Sequence, residues 1–138
     1  MPFRCFVDFY GPSDLSAMDD EPTMTAHSTD GSAESALLGG GGLPGLAELV
    51  RRADPRTHVN PDRPLAPMLI AHGTKDRLVP YAQSVLLYDT LRGAGQPVEL
   101  VRVRGAAHGG PSFWTEELLE LVAEFLARHL HGFVPAQG

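Results

Sequence analysis

Apolar and polar positions alternate along this chain in short blocks, and each block has a recognisable period. Phe3 to Phe9 is rich in aromatic and β-branched residues and stops at Tyr10-Gly11-Pro12, a turn signal, so it predicts a short strand. Residues 13–42 carry few large apolar side chains. They hold Asp19-Asp20-Glu21-Pro22 and the run Gly39 to Gly42, and read as a mobile surface segment or a lid-like insertion, with a short helix near Glu34 to Leu38. Leu43 to Ala53 predicts a helix, with Leu46, Leu49 and Val50 on one face, ended by Asp54-Pro55. Residues 54–67 contain Pro55, Pro61, Pro64 and Pro67 and read as an extended connector.

Met68-Leu69-Ile70-Ala71 is a continuous apolar run, the pattern of a parallel strand buried on both faces. Val79-Pro80 then opens a helix from Tyr81 to about Arg92, closed by Gly93. Val98 to Val103 is a more polar strand, followed by a loop from Gly105 to Pro111. The last helix is expected from about Thr115 to Leu130, its apolar stripe made of Leu118, Leu121, Val122, Phe125 and Leu126. Glu116, Glu117 and Glu120 at its start, and Arg128, His129 and His131 at its end, complement the helix dipole. Strands alternating with helices indicate an α/β domain: a three-layer α-β-α arrangement around a short parallel sheet of about three strands, formed by residues 1–138 as one unit.

Composition narrows the function. Among 138 residues, Lys and Arg number 11 and Asp and Glu 17, so the net charge is −6, which argues against nucleic acid as a partner. No apolar run approaches the roughly 18 residues of a membrane span, and Arg4 and Asp8 interrupt the opening segment too early for a signal-peptide core. A soluble, cytoplasmic chain without membrane partners is therefore expected. The single cysteine, Cys5, excludes an internal disulfide framework and a multi-Cys zinc site. It reads as a buried structural thiol within the first strand. The six histidines include no H-E-x-x-H, and Gly39 to Gly42 lacks the G-K-[ST] ending of a phosphate loop. Neither a metal nor a cofactor is expected.

Two loops carry candidate chemistry, His72-Gly73-Thr74-Lys75-Asp76 and Gly105-Ala106-Ala107-His108-Gly109-Gly110. Each follows a strand, and functional groups of parallel α/β sheets collect at the carboxyl ends of strands. Asp76 and His108 would lie at the same end of neighbouring strands, where a carboxylate can fix the tautomer of an imidazole that serves as general base. The alternative is that Asp76 caps a turn or the next helix and His108 is a loop residue.

The segment from Pro67 to Pro80 reads P-x-L-I-x-H-G-x-x-D-x-x-V-P, and the later loop reads G-A-x-H-G. Together with Tyr10-Gly11-Pro12-Ser13-Asp14-Leu15, Ser35 to Gly39, Asp54-Pro55, Gln83-Ser84 and Leu91 to Gly95, in this order, they resemble the C-terminal half of the α/β-hydrolase family, nearest its small esterase, lipase and prolyl-oligopeptidase-like branch. The resemblance implies that Asp76 is the acid and His108 the base of a catalytic triad. It implies serine hydrolase chemistry on a small ester or peptide.

The family places its nucleophile in G-x-S-x-G, ahead of the acid and the His. No such elbow stands before residue 3, and none of Ser13, Ser28, Ser32, Ser35, Ser84 or Ser112 has that context. The expectation is a hydrolase part with two thirds of a triad and no nucleophile, inactive by itself. The alternative is a non-catalytic binding or assembly module, or a truncated gene product, on the same scaffold. A first strand at a sheet edge invites pairing, so self-association or pairing with a separate N-terminal half through residues 3–9 is expected. If Asp76 and His108 sit in an open loop, Asp76→Asn and His108→Ala should leave folding nearly unchanged.

Overall fold

The computed structural model describes residues 3–130. Its regular elements are strand β1 (Phe6–Phe9), helices α1 (Ala33–Leu37) and α2 (Ala47–Ala53), strand β2 (Met68–Gly73), helix α3 (Tyr81–Gly93), strand β3 (Val98–Val103) and helix α4 (Glu116–His129). The sheet order is β1-β2-β3, with both pairs parallel.

β2 is the central strand, and its unbroken apolar run serves both faces because successive side chains point to opposite sides. Ile70 packs on one face with Leu87 and Leu91 of α3 and with Val98 and Leu100. Ala71 packs on the other face with Phe113, and with Leu118 and Val122 of α4. Helices therefore cover the two faces of a parallel sheet, which is the expected three-layer α/β architecture.

Several boundaries and contacts differ from the sequence expectation. β1 starts at Phe6, not Phe3. The Phe6 N–H donates to Pro67 O at 2.8 Å, and before Met68 the neighbouring chain carries Pro64 and Pro67, which have no N–H to offer a longer ladder. Cys5 accordingly lies before the strand and is half-buried.

The segment 13–42 is packed against the body. Leu15 is buried with Leu43 and Val50, Met18 is fully buried, and Ser13 donates through its N–H and its hydroxyl to Gln83 of α3. The Asp19 carboxylate accepts from the N–H groups of His27 and Ser28, Ser32 caps α1, and Met24 N–H donates to Arg77 O at 2.7 Å. Polar side chains anchor this stretch, which is why hydropathy does not reveal it.

Before α2, Leu43–Leu46 forms a turn of 3₁₀ helix. The tighter turn shifts the phase of the apolar face, so that Leu43, Leu46 and Val50 point inward and Leu49 is exposed. The connector 54–67 begins with a further 3₁₀ turn, Pro55–His58, capped by Asp54. Arg56 bridges Asp54 (2.7 Å) and Asp14 (2.6 Å), tying the connector to the segment after β1.

In α4, Thr115 caps the helix, while Leu118 and Phe125 are buried. Leu121, expected in the stripe, is 45% exposed. It lies one position before the inward-facing Val122 and so turns about 100° away from it. His131 lies outside the described residues. Among the described residues, no helix is long and apolar enough to cross a membrane.

Candidate active site

The carboxyl ends of β2 and β3 are laced together. Thr74 N–H donates to Val103 O, Lys75 N–H to Ala106 O, and Gly105 N–H to Thr74 Oγ1. Gly73 permits this approach, because a Cβ there would sit 2.3 Å from Ala106 O and 2.5 Å from Ala107 O. The two loops singled out in the sequence thus meet over the end of the sheet.

Asp76 and His108 meet with them. The Asp76 side chain is fully buried, and His108, 32 positions later, points its Nδ1 at Asp76 Oδ2 at 2.8 Å with 30% of its side chain exposed. Every acceptor position of the carboxylate is used. Oδ1 accepts the N–H groups of Leu78 and Val79, each at 2.9 Å, and Oδ2 accepts from His108 and from His72 Nε2 at 3.1 Å. A carboxylate held on both oxygens in this way fixes the proton of His108 on Nδ1 and leaves the Nε2 lone pair outward. Among the described residues, no serine oxygen lies within hydrogen-bonding distance of His108.

His72, which the sequence places at the head of the first candidate loop without a role of its own, belongs to β2. It is fully buried there. Its Nε2 also lies 2.8 Å from the Val79 carbonyl, which only a donor can satisfy, so Nε2 carries the proton. Its Nδ1 then accepts the Ser84 hydroxyl at 2.6 Å. Ser84, His72 and Asp76 imitate a nucleophile–base–acid line. All three side chains are buried, so no acyl group can reach Ser84, and the line serves to hold Asp76 in place. The only signal for it in the sequence is the spacing of His72 four residues before Asp76.

Asp8 on β1, paired with Ile70 of β2, has its carboxyl pushed up from the ordinary range by burial. The Gly11 N–H (3.1 Å) opposes that push only in part. Cys5 and the serines of 13–42 are elsewhere: Ser35 accepts Gly42 N–H, and Ser32 caps α1. Among the described residues, no three His, Cys, Asp or Glu side chains gather as metal ligands.

A parallel sheet with helices on both faces, its strand ends carrying a buried Asp bonded to a half-exposed His, defines an α/β-hydrolase-type domain. Residues 1–91 match the BD-FAE family, and the chain belongs to that family. Similar solved structures are hydrolases. One is a truncated carbohydrate esterase from gut microbiota, with 27% identity and a TM-score of 0.79, which the chain matches over 91% of its own length and 42% of that protein's. A puromycin-hydrolysing peptidase of Mycobacterium tuberculosis has 26% identity and a TM-score of 0.73, with 98% of this chain and 19% of that one covered. A thermophilic esterase of Thermogutta terrifontis in its butyrate-bound form has 26% identity and a TM-score of 0.61, with 98% and 46% covered. The chain therefore spans less than half the length of each of these proteins. No curated protein matches it by sequence.

Proposed function

We propose that this chain supplies the acid and the general base of a serine esterase site, Asp76 and His108, and takes its nucleophile from outside residues 1–138. The observation that carries the reading is the 2.8 Å contact between a fully buried, fully bonded carboxylate and an imidazole whose other nitrogen faces outward. In the completed site a serine hydroxyl attacks the ester carbonyl. His108 Nε2 takes its proton, and Asp76 stabilises the imidazolium that results. The tetrahedral intermediate collapses as His108 protonates the leaving alcohol; the same residue then activates water against the acyl-enzyme. Esters of small acyl groups or carbohydrates are the favoured substrates, because the similar structures include a carbohydrate esterase and a butyrate-bound esterase.

The open edge of β1 is where a further strand would pair. Phe6 N–H and Tyr10 N–H bond to β2, so the backbone groups of Val7 and Phe9 point away from it, beside the exposed side chains of Phe3, Phe6 and Val7. A second copy of the chain or a hydrolase segment bearing the G-x-S-x-G turn fits this edge. The same edge favours the second reading, an assembly module. A monodisperse monomer in light scattering at micromolar concentration would count against edge pairing.

The test of the esterase reading is co-expression with such a G-x-S-x-G segment, followed by an assay with p-nitrophenyl acetate. Hydrolysis is expected from the complex and is expected to vanish with His108→Ala. Full activity in a complex carrying His108→Ala would sink the proposal.

A further inference from the structure

Tyr10 is the described non-glycine residue with a left-handed backbone, at φ 49°. A bulky side chain is strained there and holds the conformation only where its surroundings impose it. The strain sits at the carboxyl end of β1, one residue past the strand, where Tyr10 N–H still donates to Ala71 O at 2.9 Å. A continued extended backbone would send the side chain elsewhere. The left-handed turn instead sends the ring across the end of β2 to the loop that follows β3.

Three contacts receive it. The Tyr10 ring lies 4.5 Å from the His108 ring between centroids, tilted by 54°. It meets the fully buried Phe113 edge-on at 4.8 Å and 90°. Its hydroxyl lies where a Cβ on Gly109 would come within 3.3 Å, so the loop beside His108 is shaped around it.

Asp76 alone leaves His108 one freedom. A single hydrogen bond at Nδ1 fixes one atom and a tautomer, and the ring can still swing about that bond. From these contacts we infer that Tyr10 is a positioning residue. Its strained backbone holds the aromatic ring against the tilted ring of His108, and the two restraints together aim Nε2. The inference rests on the reading of His108 as general base. Tyr10 itself touches no reacting atom. Its ring, not its hydroxyl, is what the role requires, since the hydroxyl has no hydrogen-bond partner among the described residues.

The test uses the folded chain with ¹⁵N-labelled histidine. In the parent chain, nuclear Overhauser contacts between the Tyr10 and His108 rings are expected, and neutral His108 is expected to be predominantly the Nδ1–H tautomer. Tyr10→Phe should keep the tautomer signature. Tyr10→Asn suits the left-handed backbone but removes the ring. It should keep the Nδ1–H tautomer, which Asp76 fixes, and raise the mobility of the His108 ring, read by ¹⁵N relaxation of its ring nitrogens. Unchanged mobility of the His108 ring in folded Tyr10→Asn, or a rise of the same size in Tyr10→Phe, would overturn the inference. Should Tyr10→Asn fail to fold, the inter-ring contacts in the parent chain decide the matter, and their absence would overturn it. None of these readouts needs turnover, so failure here is separate from failure of the esterase reading, which the His108→Ala complex decides.

Discussion

Replacing Asp76 with Asn tests the site network most searchingly, because it keeps the shape and removes the charge. The structure revises the expectation that this change is neutral for folding: Asp76 is not in an open loop but buried, with four donors around it. The amide oxygen of Asn can keep the bonds from Leu78 and Val79. The amide nitrogen must then face the two histidines. His108 can change tautomer and accept from it, but His72 cannot, because its Nε2 proton is committed to the Val79 carbonyl at 2.8 Å.

One charge-assisted bond is therefore lost and a donor is set against a donor, while a second bond is weakened. At about 1.5–3 kcal/mol for a bond to a charged group, the net cost is about 2–3 kcal/mol. In a chain of this size that corresponds to a fall in Tm of roughly 8–12 °C. His108→Ala removes a half-exposed side chain and leaves Asp76 with three donors, and about 1 kcal/mol is expected. Urea unfolding followed by circular dichroism gives both values by linear extrapolation. Equal costs for the two variants, or a cost below about 1 kcal/mol for Asp76→Asn, would refute the hydrogen-bond network drawn around Asp76.

Two further outcomes are expected. Asp8 carries a carboxyl raised by burial, so below the unfolded value of about 3.9 both states hold the proton, and stability falls as pH rises through the higher folded value. Asp8→Asn should flatten that fall and raise stability at neutral pH, measured as urea midpoints between about pH 4 and pH 7; an unchanged slope would show that Asp8 is not the group responsible. Gly73→Ala should cost about 2–3 kcal/mol, since its Cβ meets the backbone of Ala106 and Ala107 and the His108 loop must shift. A nearly neutral result in the same unfolding assay would mean that the loops are not in close contact.

Much of the scaffold was legible because its signals are local. Met68 to Ala71 announces a central strand by being apolar at both odd and even positions, and Thr115 with Glu116 and Glu117 announces the start of α4. Asp76 and His108 were legible through order, each following a strand, and through the resemblance of the surrounding motifs. What escaped notice depends on contacts distant in sequence. The packing of residues 13–42 is made by Asp19, Ser13 and Ser32, polar residues that look like loop composition. Leu49 was misplaced because a 3₁₀ turn precedes α2 and changes the phase. His72 stands in the first candidate loop, but nothing local shows that its ring turns to hold Asp76 and the Val79 carbonyl. Tyr10 looked like part of a turn, and nothing local indicates that it reaches His108, 98 positions away.

The central claim is that these 138 residues hold an acid and a base but no nucleophile. Its most direct test is the intact mass of the purified, folded chain after incubation with a fluorophosphonate, which acylates activated serines. No added mass is expected from the chain alone. A stoichiometric addition, mapped to one serine peptide, would place a working nucleophile within the chain and contradict the claim.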